Sequence, residues 1–273
     1  MESIFRYIIY LLIVLTAVSC NVSEIETELD IPYKGDFLVL HGFICQDEGV
    51  RLFLQKTVPH SCATCSDSVS NAVVSLYENE TYLFDLNTDD GYWYHSPSSF
   101  SPSIGNEYYI KAEAYKIPTA VTSSVSLMQM VSIDTAYIEA TENRYRKKIR
   151  YRFSDIPNEQ NYYMVQVISG NGNEDRFMWD KFSVFNKVIG DEVANNGIIE
   201  GETIHFVGDD DHDVELILYH LSPQLVQYIF SREENFFSED DPFSEYPVPV
   251  FNNINKGYGF FGSYASSVYT IRF

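Results

Sequence analysis

From Phe37 onward, apolar and polar residues alternate in short runs separated by Gly, Asn and Asp, the period of two that predicts strands. Phe37, Val39, His41 and Phe43 alternate with Leu38, Leu40, Gly42 and Ile44. Both faces of this strand are apolar, which predicts a central place in a sheet and makes His41 a core residue rather than a ligand. A turn at 46–49 leads into residues 50–57 as the hairpin partner, and residues 71–78 and 81–86 form a second hairpin about Asn79-Glu80. Asp89-Asp90-Gly91 feeds the aromatic strand Tyr92-Trp93-Tyr94, and Gly105-Asn106 turns into a half-buried strand over 107–115. Short strands at this spacing predict a small antiparallel sandwich of the immunoglobulin-like kind.

Residues 117–131, rich in Ser, Thr and Ala, read as the last strand of that sandwich and the passage to a second unit. Further strands are expected at 133–140, 147–153, 162–168, 201–207 and 214–221, with apolar character resuming over 177–188 around Trp179. One helix stands out near 222–234. Ser222 is placed to cap it, Pro223 occupies the first position, where a missing N–H costs nothing, and Leu225, Val226, Ile229 and Phe230 share a face. Residues 238–250 carry Pro242, Pro247 and Pro249 and read as loop, and strands at 257–264 and 268–273 close the chain. The expected fold is mainly β: a sandwich over 36–130, then a β-rich unit over 131–273 with one amphipathic helix packed on its own sheet.

The beginning of the chain follows another pattern. Arg6, an apolar run over 7–15 and Thr16-Ala17-Val18-Ser19-Cys20 resemble a bacterial lipoprotein signal, in which residues 1–19 are removed and Cys20 is acylated. The uninterrupted apolar run is far shorter than the roughly 20 residues of a membrane span. Ala17 stands where such signals usually carry Leu, and an ordinary cleaved signal is the competing reading. Residues 20–35, with Glu24, Glu26, Glu28 and Asp30, read as an acidic tether.

The chain has 273 residues, enough for one large or two small domains at about 150 residues each. Its formal charge is −21, a balance that repels phosphate backbones and argues against nucleic-acid partners. Outside Cys20 there are three cysteines, Cys45, Cys62 and Cys65, in a chain expected to fold where disulfides persist. A local Cys62–Cys65 link with Cys45 as a buried thiol is the favoured arrangement, and zinc bound by His60, Cys62 and Cys65 is the alternative. That set lacks a second CxxC or a paired histidine, so no metal is expected.

No residue set reaches the standard of an active site. Asp209-Asp210-Asp211-His212-Asp213 lacks the alternating ligands, central Gly and terminal Glu of a calcium loop and reads as a solvated turn. There is no GxSxG elbow, His205 and His220 sit in alternating strand sequence, and Glu239-Asp240-Asp241 precedes a proline-rich loop. Neither a catalytic residue nor a cofactor is expected. Aromatic residues beside turns, Tyr92, Trp93 and Tyr94 and then Phe243 and Tyr246, are the candidates for partner contact.

Several segments together carry a resemblance: Leu38-Val39-Leu40-His41-Gly42-Phe43-Ile44, Asn71-Ala72-Val73-Val74-Ser75-Leu76-Tyr77-Glu78, Ile133-Asp134-Thr135-Ala136-Tyr137, Tyr162-Tyr163, the strand and helix about Ser222, Asp241-Pro242-Phe243, and Asn253-Ile254-Asn255-Lys256-Gly257-Tyr258-Gly259-Phe260-Phe261-Gly262. In this order, behind a lipoprotein signal, they resemble the Bacteroidota lipoprotein family known as domain of unknown function 4249. Asp241 replaces that family's usual Asn, and the CxxC loop looks like an addition. The resemblance implies a transthyretin-like sandwich of the carboxypeptidase regulatory type in the first half, not itself catalytic. It also implies an outer-membrane lipoprotein, anchored through Cys20, facing outward or alternatively the periplasm, acting as accessory to a TonB-dependent receptor in nutrient uptake. The aromatic residues beside turns are expected to touch a receptor, peptide or glycan, with a small-molecule ligand also left open; a structural envelope lipoprotein without ligand is the alternative and a hydrolase a distant third.

Overall fold

The computed structural model describes residues 32–62, 64–69, 71–139, 146–169, 187–206, 213–239 and 248–272. β1 (Leu38–Cys45) and β2 (Gly49–Lys56) form the first hairpin, in register from Leu38 opposite Lys56 to Cys45 opposite Gly49. β3 (Val73–Glu78) and β4 (Thr81–Asp85) form the second. Its turn residues Asn79 and Glu80 both have positive φ, 45° and 68°, the geometry whose twist matches that of the flanking strands. β5 (Asn87–Thr88), β6 (Trp93–His95), β7 (Glu107–Ala114), β8 (Ile117–Thr122) and β9 (Val125–Ser126) complete the first half. The second half holds β10 (Ile133–Glu139), β11 (Arg146–Ser154), β12 (Tyr162–Ser169), β13 (Val188–Gly190), β14 (Ile198–Phe206) and β15 (Asp213–Leu221). Helix α1 (Pro223–Glu239), β16 (Ile254–Asn255) and β17 (Gly257–Arg272) follow.

Among the described residues the strands make three sheets: an eight-stranded one in the order β13-β12-β15-β17-β1-β2-β6-β5, a six-stranded one with β16-β8-β7-β3-β4 and β9 beside β7, and a three-stranded one in the order β10-β11-β14. The joint of the large sheet is β17. Gly257 to Ser263 pair in parallel with β1, and Tyr264 to Arg272 pair antiparallel with β15. The sequence predicts two separate closing strands there, whereas one strand of 16 residues serves both halves. The predicted units 36–130 and 131–273 therefore share a strand, and Gly35–Phe273 pack as one unit.

Three apolar clusters follow from the alternation. Leu38, Leu40, Ile44, Leu52 and Leu54 face Val74, Leu76, Tyr108 and Ile110 of the six-stranded sheet. Ile149, Tyr151 and Phe153 of β11 face Tyr163, Val214, Leu216 and Leu218 across the second half. The opposite face of the large sheet, with Phe43, Met164, Tyr219, Phe260 and Tyr264, is covered by Leu225, Val226, Tyr228 and Ile229 of α1. The two-faced apolarity of β1 thus has two causes, a facing sheet on one side and a helix on the other.

The Ser222 hydroxyl accepts the Leu225 N–H at 3.4 Å and the Ser263 N–H at 3.1 Å, so it caps α1 and ties it to β17 at once. The helix runs five residues beyond the predicted end, to Glu239; Asn235 in that last part donates to the Val248 carbonyl at 2.7 Å. Phe230, predicted on the buried face, is 45% exposed, and Tyr228 takes its place among the buried residues. No helix among the described residues is long and apolar enough to cross a membrane.

Candidate functional site

The outer face of the three-stranded sheet carries an ordered array of charged side chains. On β11, Ile149, Tyr151 and Phe153 point into the core, which by the period of two turns Lys148, Arg150 and Arg152 outward. The register sets Glu139, Lys148 and Ile204 in one row, Tyr137, Arg150 and Glu202 in the next, and Thr135, Arg152 and Glu200 in the third. Cations run down the middle strand, with carboxylates on either side.

Two of the three cations are spoken for. Arg150 Nε donates to Glu139 Oε2 at 2.6 Å and its Nη1 lies 3.0 Å from Glu202 Oε2, while Lys148 Nζ lies 2.9 Å from the same Glu202 oxygen. The Glu139 carboxylate raises the guanidinium pKa of Arg150, and the hydrogen bond from Lys148 holds the Glu202 carboxyl below its usual range. These pairs are solvent-exposed, so their worth is orientation more than stability. Among the described residues the side chains of Arg152 and Glu200 enter no ion pair or hydrogen bond, although the two residues stand opposite each other in the register.

This face is concave. A hollow of about 600 Å³ is lined by Thr135, Tyr137, Arg150, Arg152, Glu200 and Glu202, and a second of about 360 Å³ adds Asn195 and Asn196. Arg152 and Glu200 line both, so the two make one groove that runs to the Asn196-Gly197 turn. Positive φ at Asn196 (53°) and Gly197 (73°) makes that turn tight and brings its amides to the groove's end. Beneath the groove the Tyr151 ring lies across Gly201, where an added Cβ would stand 2.4 Å from it. Tyr137 is 57% exposed.

The residues expected from sequence to contact a partner lie elsewhere. Tyr94 is 3% exposed and belongs to the core between the sheets, which removes it from that set. Trp93 packs on Phe53 with ring centroids 4.8 Å apart, and Tyr92 stacks on the same ring at 5.9 Å. Both rings are half-buried, so each covers the sheet with part of its surface and leaves the rest exposed. Phe243, Tyr246, Cys20, the Asp209 to His212 acids and Asp240-Asp241 lie outside the described residues. Cys62 and Cys65 are disulfide-bonded and Cys45 is a buried thiol outside that bond, so neither Cys62 nor Cys65 offers a thiolate to a metal beside His60.

Sequence reasoning passed over the groove, yet the sequence held a signal for it: of 18 basic residues, Arg144, Arg146, Lys147, Lys148, Arg150 and Arg152 fall in one short stretch of an acidic chain.

A family model described as domain of unknown function (DUF4249) matches residues 24–270. No curated protein matches the chain. Among solved structures, a two fibronectin type-III domain segment from chicken tenascin is similar at 8% identity, over 88% of this chain and 100% of that one, with a TM-score of 0.24.

Proposed function

The chain belongs to the DUF4249 family, and on that premise we propose that it is a lipid-anchored, non-catalytic binding module of the outer membrane, accessory to a receptor of the TonB-dependent type. The observation that carries the reading is the groove over β10, β11 and β14. Thr135, Tyr137, Arg150, Arg152, Glu200 and Glu202 are held on strands, so these groups are positioned before a ligand arrives, and Asn195 and Asn196 join them from the turn before β14. The signal ending at Cys20 and the acidic stretch after it support a tether that leaves the folded part free of the membrane surface. A negative surface potential and a chain of −21 repel each other, which favours standing off from the bilayer.

Two measurements test this. Cys20→Ala should release the protein from the membrane fraction, and the unaltered chain should be degraded when protease is added to intact cells. Affinity purification from detergent-solubilised outer membrane should recover a receptor with it. Recovery of the protein alone, or retention of Cys20→Ala in the membrane, would count against the assignment.

A further inference from the structure

Resting on the reading of this groove as a binding site, we infer that its occupant is a neutral saccharide. The first reason is charge. Two cations, Arg150 and Arg152, line the groove with two carboxylates, Glu200 and Glu202, so its lining sums to zero on a protein of −21. No net field draws a polyanion there, and long-range repulsion from the rest of the chain opposes one. An anionic peptide or acidic polymer is thereby disfavoured.

The second reason is the hydrogen-bonding pattern. A sugar hydroxyl donates one proton and accepts through its lone pairs, so it is best held between an acceptor and a donor. Arg152 and Glu200 supply that combination side by side, without an internal bond to break first. Asn195, Asn196 and Thr135 add amide and hydroxyl groups along the same groove. Arg150 is already oriented by Glu139 and Glu202, which leaves its remaining N–H groups fixed in direction.

The third reason is shape. Tyr137, next to the Arg150–Glu202 row, presents an exposed ring on which the C–H face of a sugar can rest. A hollow of about 600 Å³ lies within the range of small-molecule sites, roughly 300–1,000 Å³, and its open side suits a short chain of sugar rings passing along the strands.

A competing platform exists. Tyr77 stacks on Tyr109 at 4.8 Å and meets Tyr82 edge-on at 5.8 Å on the six-stranded sheet, and Tyr82 is 51% exposed.

The test is the detergent-solubilised full chain on an array of neutral and acidic oligosaccharides, followed by titration of the best ligand into wild type, Arg152→Ala, Tyr137→Ala and Tyr82→Ala. Binding to neutral members is expected, weakened about tenfold or more by Arg152→Ala and by Tyr137→Ala and left within about twofold by Tyr82→Ala. Both groove residues are exposed, so unchanged thermal midpoints should accompany the loss. Binding of acidic members alone, loss with Tyr82→Ala instead, or no binding across the array overturns the inference. The same titration on Cys20→Ala separates the two readings: retained binding by a chain that is still membrane-bound refutes the anchor and keeps the saccharide.

Discussion

His220 Nε2 lies 3.1 Å from Asn161 Oδ1 while its Nδ1 lies 2.8 Å from the Gln129 carbonyl oxygen, so both ring nitrogens face acceptors. The Asn161 amide cannot be turned around. Its Nδ2 donates to Asp155 Oδ1, the Ile156 carbonyl and the Glu159 carbonyl at 3.2, 2.7 and 3.0 Å, all of them acceptors. Burial lowers the His220 pKa, against the pull of Gln129, Glu159 and Asp155, which leaves one proton for two acceptors at neutral pH.

Asn161 therefore braces the turn before β12 and the loop before β10 together. It is 1% exposed, and Asn161→Ala would orphan the buried His220 Nε2 and three acceptors at once. The expected cost is about 2–4 kcal/mol in urea unfolding, large for a polar residue outside any apolar cluster. A loss below about 1 kcal/mol would show that water replaces the amide without penalty.

His41 gives the pH dependence. It sits on the helix side of β1, edge-on to Tyr228 at 6.3 Å and to Phe260 at 6.2 Å, and its pKa is lowered from 6.5 to about 4 by burial, then by the charge of Arg232. A depressed imidazole pKa means that the unfolded chain binds the extra proton first. Stability should thus fall as pH drops from about 6.5 to about 4 and level off below, with a slope of at most about 1.4 kcal/mol per pH unit from this group. His220 acts in the same direction. His41→Phe should flatten the urea midpoint against pH across that window, leaving a shallower slope from His220; an unaltered slope would remove His41 as its source.

What could be read in the sequence was local. Ser222-Pro223 starts the helix, Asn79-Glu80 makes the hairpin, and the two apolar faces of β1 foretell two coverings. What escaped was long-range or outward-facing. Nothing in the spacing of Gly257, Gly259 and Gly262 reveals that one strand continues past Ser263 to a second partner, because glycines and the Ser266-Ser267 pair interrupt the alternation. The groove escaped for a different reason. Charged residues on the open face of a strand look like ordinary solvated surface until the ion pairs show which of their side chains are taken and which are left over.

The Cys62–Cys65 link closes a loop with a sequence separation of only 3. Loop-closure entropy grows with the logarithm of loop length, so a bond this local removes little freedom from the unfolded chain, about 2 kcal/mol. Cys62→Ser with Cys65→Ser should therefore lower stability by no more than about that amount and leave the fold intact. Differential scanning of the double mutant, compared with the reduced wild type, checks it. A collapse of folding in the mutant would assign the loop a larger structural part.

The junction in β17 yields the severest prediction. Gly259 stands opposite Leu40 in the parallel pair with φ of +106°, and a Cβ there would come 1.9 Å from the Leu40 carbonyl oxygen. The obstacle is backbone, held on its other side by Leu54 of β2, and cannot move aside without opening the sheet. Gly262 differs. Its Cβ would meet the Phe260 ring at 3.2 Å and Leu225 Cβ at 3.3 Å, with no positive φ to hold. Gly259→Ala should cost about 4 kcal/mol or more, or abolish soluble expression, whereas Gly262→Ala should cost about 1 kcal/mol and fold. Amide exchange offers the finer reading: in a folded Gly259→Ala chain, protection should be lost along β1 and the first part of β17, while β11 and β14 keep theirs. Equal losses in the two variants would mean that crowding in β17 acts through side chains, and not through the pairing that joins the two halves.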